Sequence, residues 1–189
     1  MATSITDGFD PGDDEKVISI LDKWNGGPLS DRLYAKISKI APMASTIIVI
    51  FRKKAANTEV LLLPRPGSDP TWPGMLNLPG KMFRAADFHR KDQKPENGPF
   101  ERIQSDEIKT KFINPPKFAG VAFQDTLRGP VMALVYTVEL ANDTKDQRDW
   151  VWCEVTKLKA LSNLIDTELI AIDIALRSYL AGSNHLPSL

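Results

Sequence analysis

Apolar positions in this chain change period several times, and each change marks a candidate element. Val17, Ile20, Leu21 and Trp24 recur at three- and four-residue spacing behind Asp13-Asp14 and stop at Asn25-Gly26-Gly27, which predicts a short amphipathic helix. A second helix is expected from Pro28–Asp31, with Leu29, Leu33, Ile37 and Ile40 on one stripe and Pro42 as its end. The texture then turns β-branched and continuously apolar over Ser45-Thr46-Ile47-Ile48-Val49-Ile50-Phe51, as in a strand covered on both faces. Val60-Leu61-Leu62-Leu63 repeats that character, so the two runs are expected to pair near the centre of a sheet. From Pro64 to Pro79, prolines and glycines impose a constrained loop ending in the extended piece Leu76-Asn77-Leu78.

Further along, residues 84–99 are polar and read as an exposed loop closed by Asn97-Gly98-Pro99. A helix is expected over 100–112, with Phe100, Ile103 and Ile108 on its apolar side and Pro115-Pro116 barring continuation. Phe118–Phe123, Val131–Leu140 and Trp150–Val155 have the character of strands. Leu161, Ile165, Leu169, Ile172, Leu176 and Leu180 mark a long C-terminal helix. Strands interleaved with one middle and one terminal helix give an α/β fold, an α/β/α sandwich with a mixed central sheet, centred on 45–52 and 130–140. The expected organisation is a lead-in with two helices over 1–44, a body over 45–182 and a tail over 183–189.

Composition narrows the chemistry. At 189 residues and 21.0 kDa, with 42% hydrophobic and 25% charged residues, the chain suits one globular core rather than wholesale disorder. Its 24 basic and 24 acidic side chains cancel, which argues against a broadly basic nucleic-acid surface but leaves room for a local basic cleft. The single cysteine, Cys153, has no disulfide partner within the chain and is expected to be a small buried hydrophobe. No Cys/His cluster has zinc spacing, and His89 reads as an exposed loop residue. With no secretory signal at the acidic N-terminus and no apolar stretch of bilayer length, a cytoplasmic setting without a membrane partner is expected.

The runs Val60-Leu61-Leu62-Leu63-Pro64-Arg65-Pro66 and Trp72-Pro73-Gly74-Met75-Leu76-Asn77-Leu78-Pro79-Gly80-Lys81, in this order and followed by a helix, further strands and a closing helix, resemble the Nudix hydrolase family. The resemblance spans roughly Ser45 to Leu180. It implies the sandwich already expected, with Trp150-Val151-Trp152 as closing strand and Leu158, Leu161, Ile165 and Asp166 at the helix entry. The family's signature is G-x5-E-x7-R-E-U-x-E-E-x-G-U, with U aliphatic. Its glutamates fall three and four residues apart on one helix face, where their oxygens hold divalent metal at a pyrophosphate.

This chain departs from that signature. Lys81 stands where a second glycine is usual, and Ala86 stands where the first glutamate is expected. Aligned on Arg102, the helix has Ile103 at the first catalytic glutamate, Asp106 and Glu107 at an acid pair, and Lys109 at the glycine. Aligned one residue earlier, Ile103 falls on the aliphatic place, while Arg102 and Ser105 replace glutamates. The extra length between Pro79 and Arg102 fits an insertion within 84–99, from which Asp87, Asp92 or Glu96 could serve as substitute ligands.

The resemblance implies Arg102, Asp106 and Glu107 as catalytic residues, Asp106 and Glu107 as ligands of Mg²⁺ or Mn²⁺, and Arg65, Gly80 and Lys81 on the substrate side. The activity expected is metal-dependent hydrolysis of a nucleoside diphosphate derivative, a small nucleotide-type ligand. The alternative is a catalytically silent Nudix-fold binding or regulatory module, and the N-terminal helices leave a homodimer open. Bland readings stand beside these: Asp106 and Glu107 as a solvated acidic helix face, Arg65 as a charged strand end, Gly80 as a tight bend, and Trp72 as a loop anchor instead of a stacking surface.

Overall fold

A computed structural model describes residues 11–23, 30–37, 41–89, 93–140 and 144–183. Helices α1 (Pro11–Asp22) and α2 (Asp31–Ile37) precede strands β1 (Met43–Lys54), β2 (Asn57–Pro64), β3 (Leu76–Asn77) and β4 (Gly80–Met82). A short helix α3 (Ala85–Phe88) and α4 (Asn97–Arg102) lead into a π-helical turn over Ile103–Ile108. Strands β5 (Lys117–Thr126), β6 (Gly129–Val138) and β7 (Val151–Glu154) follow, then a 3-10 turn over Val155–Ala160 and the closing helix α5 (Glu168–Ser183).

The sheet runs β3-β2-β1-β6-β5, with β4 added on β1 and β7 on β2. β1 and β6 pair in parallel from Met43↔Val131 to Ile50↔Val138, and the other pairings are antiparallel, so the sheet is mixed. The two strands expected at the centre are therefore direct neighbours. Alternation along a strand sends successive side chains to opposite faces, and both faces are apolar. Ile47, Val49, Phe51, Val60 and Leu62 join Ala171, Ile172 and Ala175 of α5 in one core. Ile48, Ile50 and Leu61 join Phe100, Ile103, Ile108 and Trp150 in the other. This double burial is why 45–51 reads as a continuous apolar run.

Three expectations shift in the structure. The middle helix ends at Ile108 instead of 112, because Lys109 turns left-handed at φ 54° ahead of the proline pair. Helix α5 begins at Glu168, leaving Leu161 and Ile165 outside it. The cause is a competing use of the backbone: Leu76 donates to the Asn163 carbonyl at 2.7 Å and accepts from the Ile165 amide at 3.1 Å, so this segment is tied to the β3 region before the helix can start. The 84–99 segment is not simply an exposed loop, since Asp87 is 2% exposed and Gly98, Pro99 and Phe100 are buried.

Both expected N-terminal helices are present in part, while Trp24, Pro28, Leu29 and Ile40 lie outside the described residues. Val17, Ile20, Leu21 and Leu33 are exposed, so their stripes are not covered by the body. Cys153 is buried in the first core, as its strand context predicts. Arg52, near the end of β1, pairs with Glu59 and Asp146 over the Trp152 ring. No helix among the described residues is long and apolar enough to cross a membrane.

Candidate functional site

The π turn positions the acids of this site. Ile103 and Ile108 are each 0% exposed, yet an α-helix would place residues five apart about 140° from one another. A π turn closes i to i+5 and takes up one extra residue, so both isoleucines reach the core. The two registers of the signature then match different parts of the segment. Ile103, which opens the turn, falls on the buried aliphatic place of one register, while Asp106 and Glu107 within the turn and Lys109 just after it fall on the acid, acid and glycine places of the other. Lys109 adopts the left-handed backbone that a glycine would take there without strain.

Glu107 is directed at β4. Its Oε2 accepts from the Gly80 amide at 2.9 Å, and its Oε1 lies 3.0 Å from the Lys81 ammonium. The same ammonium stands 3.6 Å from Asp106 Oδ2. Gly80 earns its place by close approach: a Cβ there would meet the Thr46 carbonyl at 3.1 Å, where β4 pairs with β1. Burial pushes the Glu107 carboxyl upward, with Lys81 and the Gly80 amide pulling back. Asp106, half exposed, is held below its ordinary value by the Ser105 hydroxyl against slight burial, with help from Lys81.

Arg102, expected among the catalytic residues, pairs with the insertion. Its guanidinium grips Asp87 at 2.7 and 2.9 Å and donates to the Met82 carbonyl at 3.0 Å. Asp87 is thus the partner of Arg102 rather than a substitute metal ligand, and it stands one residue after Ala86, where the signature expects an acid. Its Oδ2 also accepts from the Arg84 amide at 2.8 Å. Glu96 lies at the start of α4, and Asp92 is outside the described residues. A Cβ on Gly98 would collide with the Asp87 carboxylate, so Gly98→Ala is expected to cost roughly 1–3 kcal/mol through overpacking, as read by urea unfolding. A loss below a few tenths would show that this contact yields freely.

On the other wall Asp69 organises the proline-rich loop. It accepts from the Thr71 and Trp72 amides, both at 2.9 Å, from Arg65 Nε at 2.8 Å and from Arg128 Nη2 at 2.6 Å. Burial alone would raise this carboxyl, but the two amides and two guanidiniums outweigh it and hold it far below the carboxylate range. Both guanidiniums lie by the Trp72 ring, Arg65 at 5.6 Å and Arg128 at 4.9 Å from its centroid. Trp72 is thereby both a loop anchor and part of the cleft wall.

Between these walls lies a cleft of about 470 Å³, into which Arg65, Lys81, Arg84, Arg102 and Arg128 project against two acids, Glu107 and Glu168. Burial pushes Glu168 up to about 8, with Glu107 adding to the rise and Arg65 and the Leu78 amide opposing it. Although the residue is half-buried overall, its Oε2 is out of solvent contact and without a hydrogen-bond partner among the described residues. At neutral pH the cleft is therefore cationic: Arg65 and Arg128 share one carboxylate, Glu107 is neutralised by Lys81, and Glu168 holds its proton.

The structure brings five of the sequence-derived site residues, Arg65, Gly80, Lys81, Arg102 and Glu107, to the cleft lining, with Asp106 beside them. Sequence reasoning missed Asp69, Arg128 and Glu168. Asp69-Pro70-Thr71-Trp72 carries an Asx-turn signal, and Glu168 was hidden inside an over-long helix. Nothing local announces Arg128.

The donor set does not fit a divalent cation. Hard cations need several free oxygens, whereas both Glu107 oxygens are engaged by Gly80 and Lys81, and Asp87 is held by Arg102. Among the described residues no group of three or more metal-ligating side chains converges.

No protein-family model matches the chain, and no curated protein matches it in sequence. Solved structures do. The chain is similar to the NUDIX domain of Shewanella oneidensis NrtR in a cocrystal with ADP ribose, at 18% identity and TM-score 0.53, covering 80% of this chain and 99% of that one. It is similar to Caenorhabditis elegans Ap4A hydrolase at 16% identity and TM-score 0.50, covering 74% and 99%. Against Shewanella oneidensis NrtR complexed with a 27mer DNA, at 18% identity and TM-score 0.52, it covers 74% of its own length but only 63% of that chain. At these identities the likeness is one of fold.

Proposed function

We propose that this Nudix-fold chain binds a small nucleotide-type ligand by its diphosphate in the cationic cleft, without a divalent cation, as a binding or regulatory module. The observation that carries this reading is the cleft's charge: guanidinium and ammonium groups from both walls converge in a chain whose formal net charge is zero. A volume of about 470 Å³ lies in the range of small-molecule sites, roughly 300–1,000 Å³. In this reading Arg65 and Lys81 meet phosphate oxygens, Gly80 lets the backbone come close, and Arg102 is a positioning residue acting through Asp87. Metal-dependent hydrolysis through Asp106 and Glu107 has less support, since the Lys81 ammonium already stands beside both carboxylates.

ADP-ribose, the ligand of the NrtR NUDIX domain cocrystal, is the first probe, followed by a dinucleoside polyphosphate, coenzyme A and a nucleoside triphosphate. Calorimetric titration in EDTA is expected to show binding of at least one of them. Incubation with Mg²⁺ or Mn²⁺ is expected to release no product. Turnover by the unmodified chain, or no binding across the panel, would contradict the proposal. Arg65→Ala is expected to weaken the bound probe about 10- to 100-fold, the value of one charge-assisted hydrogen bond of roughly 1.5–3 kcal/mol. An unchanged Kd would remove Arg65 from the ligand site.

A further inference from the structure

We infer that Lys81 is a built-in counter-cation, whose ammonium fills the charge-neutralising place at the Asp106–Glu107 pair and closes that pair to divalent metal. This deepens the metal-free reading of the cleft and rests on it. One dipeptide saturates Glu107: the Gly80 amide takes Oε2 at 2.9 Å while the Lys81 ammonium takes Oε1 at 3.0 Å. The second acid is also within its reach, at 3.6 Å.

This is not an ordinary surface ion pair, which solvent and side-chain freedom render weak. The Lys81 and Glu107 side chains retain 25% and 22% of their exposure, and each is carried on constrained backbone. Lys81 sits in β4, in register with Thr46 of β1. Glu107 sits in a π turn pinned by two fully buried isoleucines. The ammonium is therefore delivered at high effective concentration, as a covalently linked partner is. A divalent ion would have to displace it and strip its own water to reach a pair of which one carboxylate already accepts from an amide.

Removing the ammonium should uncover what it covers. Mn²⁺ binding, followed by loss of the free-ion electron paramagnetic resonance signal, separates the possibilities without reference to turnover. Lys81→Ala and Lys81→Met, the latter preserving the stem, are expected to bind Mn²⁺ at least about ten-fold more tightly than the unmodified chain. Lys81→Arg, which keeps a cation, is expected to match the unmodified chain. Adding Glu107→Gln to Lys81→Ala is expected to abolish the gain. The inference is overturned if the unmodified chain binds Mn²⁺ as tightly as Lys81→Ala, or if neither Lys81→Ala nor Lys81→Met gains affinity while both keep native near-ultraviolet circular dichroism. Should Lys81→Ala fail to fold, Lys81→Met decides alone. Gain of Mn²⁺ binding in a chain that binds no nucleotide would reject the ligand reading while keeping the role of Lys81. Nucleotide binding in EDTA with no gain in any variant would do the reverse.

Discussion

Asp87→Ala is expected to destabilise the fold by about 3–5 kcal/mol, the usual cost of leaving one partner of a buried ion pair alone. Asp87 is 2% exposed and Arg102 keeps 16% of its side-chain exposure, so the guanidinium could not recover its hydration by a small movement. The Arg84 amide loses its acceptor as well. Much of the cost comes from the stranded charge, so the double variant Asp87→Ala with Arg102→Met is expected to be more stable than Asp87→Ala alone. Urea unfolding at neutral pH, run as a double-mutant cycle, measures this directly. A single-variant cost below about 1 kcal/mol would mean that the pair behaves like a surface bridge. Because Arg102 also holds the Met82 carbonyl, losing the pair is expected to loosen β4, and Gly80 and Lys81 with it.

Glu168→Gln is expected to remove a pH dependence that the unmodified chain carries between about 4.5 and 8. The folded carboxyl titrates near 8 and the ordinary value is 4.5, so across that window the folded chain keeps a proton that the unfolded chain gives up. Stability contributed by this group is therefore full below the ordinary value and is lost as pH rises through the folded one. The whole effect amounts to roughly 5 kcal/mol, at about 1.4 kcal/mol per pKa unit over the interval from 4.5 to about 8. Glutamine keeps the shape and cannot ionise. Unfolding free energies at pH 5, 6.5 and 8 are expected to fall for the unmodified chain and to lose that one-proton slope in the variant, which would be the more stable of the two at pH 8. Equal slopes in both would show that Glu168 is ionised in the folded chain at neutral pH. The depressed Asp69 acts with the opposite sign, but its window lies in acid, below the carboxylate range.

The layers of the fold were legible because both faces of β1 and β2 are buried, which forces long apolar runs that no surface strand would tolerate. The central place of 45–52 and 130–140 followed from the same pattern, while their parallel pairing is a finding of the structure. Helix ends were less legible, since α5 starts where Leu76 stops using the backbone of 163–165, a long-range bond with no local mark. The π turn is the clearest case. Ile103 and Ile108 would lie about 140° apart on an α-helix, and the conflict surfaces as two rival registers, each matching part of the segment.

At the cleft, residues belonging to a recognisable pattern were found, and those defined by long-range partners were not. Arg65, Gly80 and Lys81 were named from their run, and Asp106 and Glu107 from their helix. Arg102 lies in the expected element, but its pairing with Asp87 was not legible, because Asp87 is fifteen residues away inside a segment whose polarity suggested solvent. Arg128 reaches Asp69 across 59 residues, and only the sheet brings them together.

The central proposal is that the cleft holds a diphosphate without a divalent cation. Calorimetric titration of ADP-ribose into the unmodified chain, once in EDTA and once in excess Mg²⁺, tests it most directly. Binding is expected in EDTA, with a dissociation constant within about three-fold of the Mg²⁺ value. Binding that appears only with Mg²⁺, or heat from hydrolysis in its presence, would contradict it.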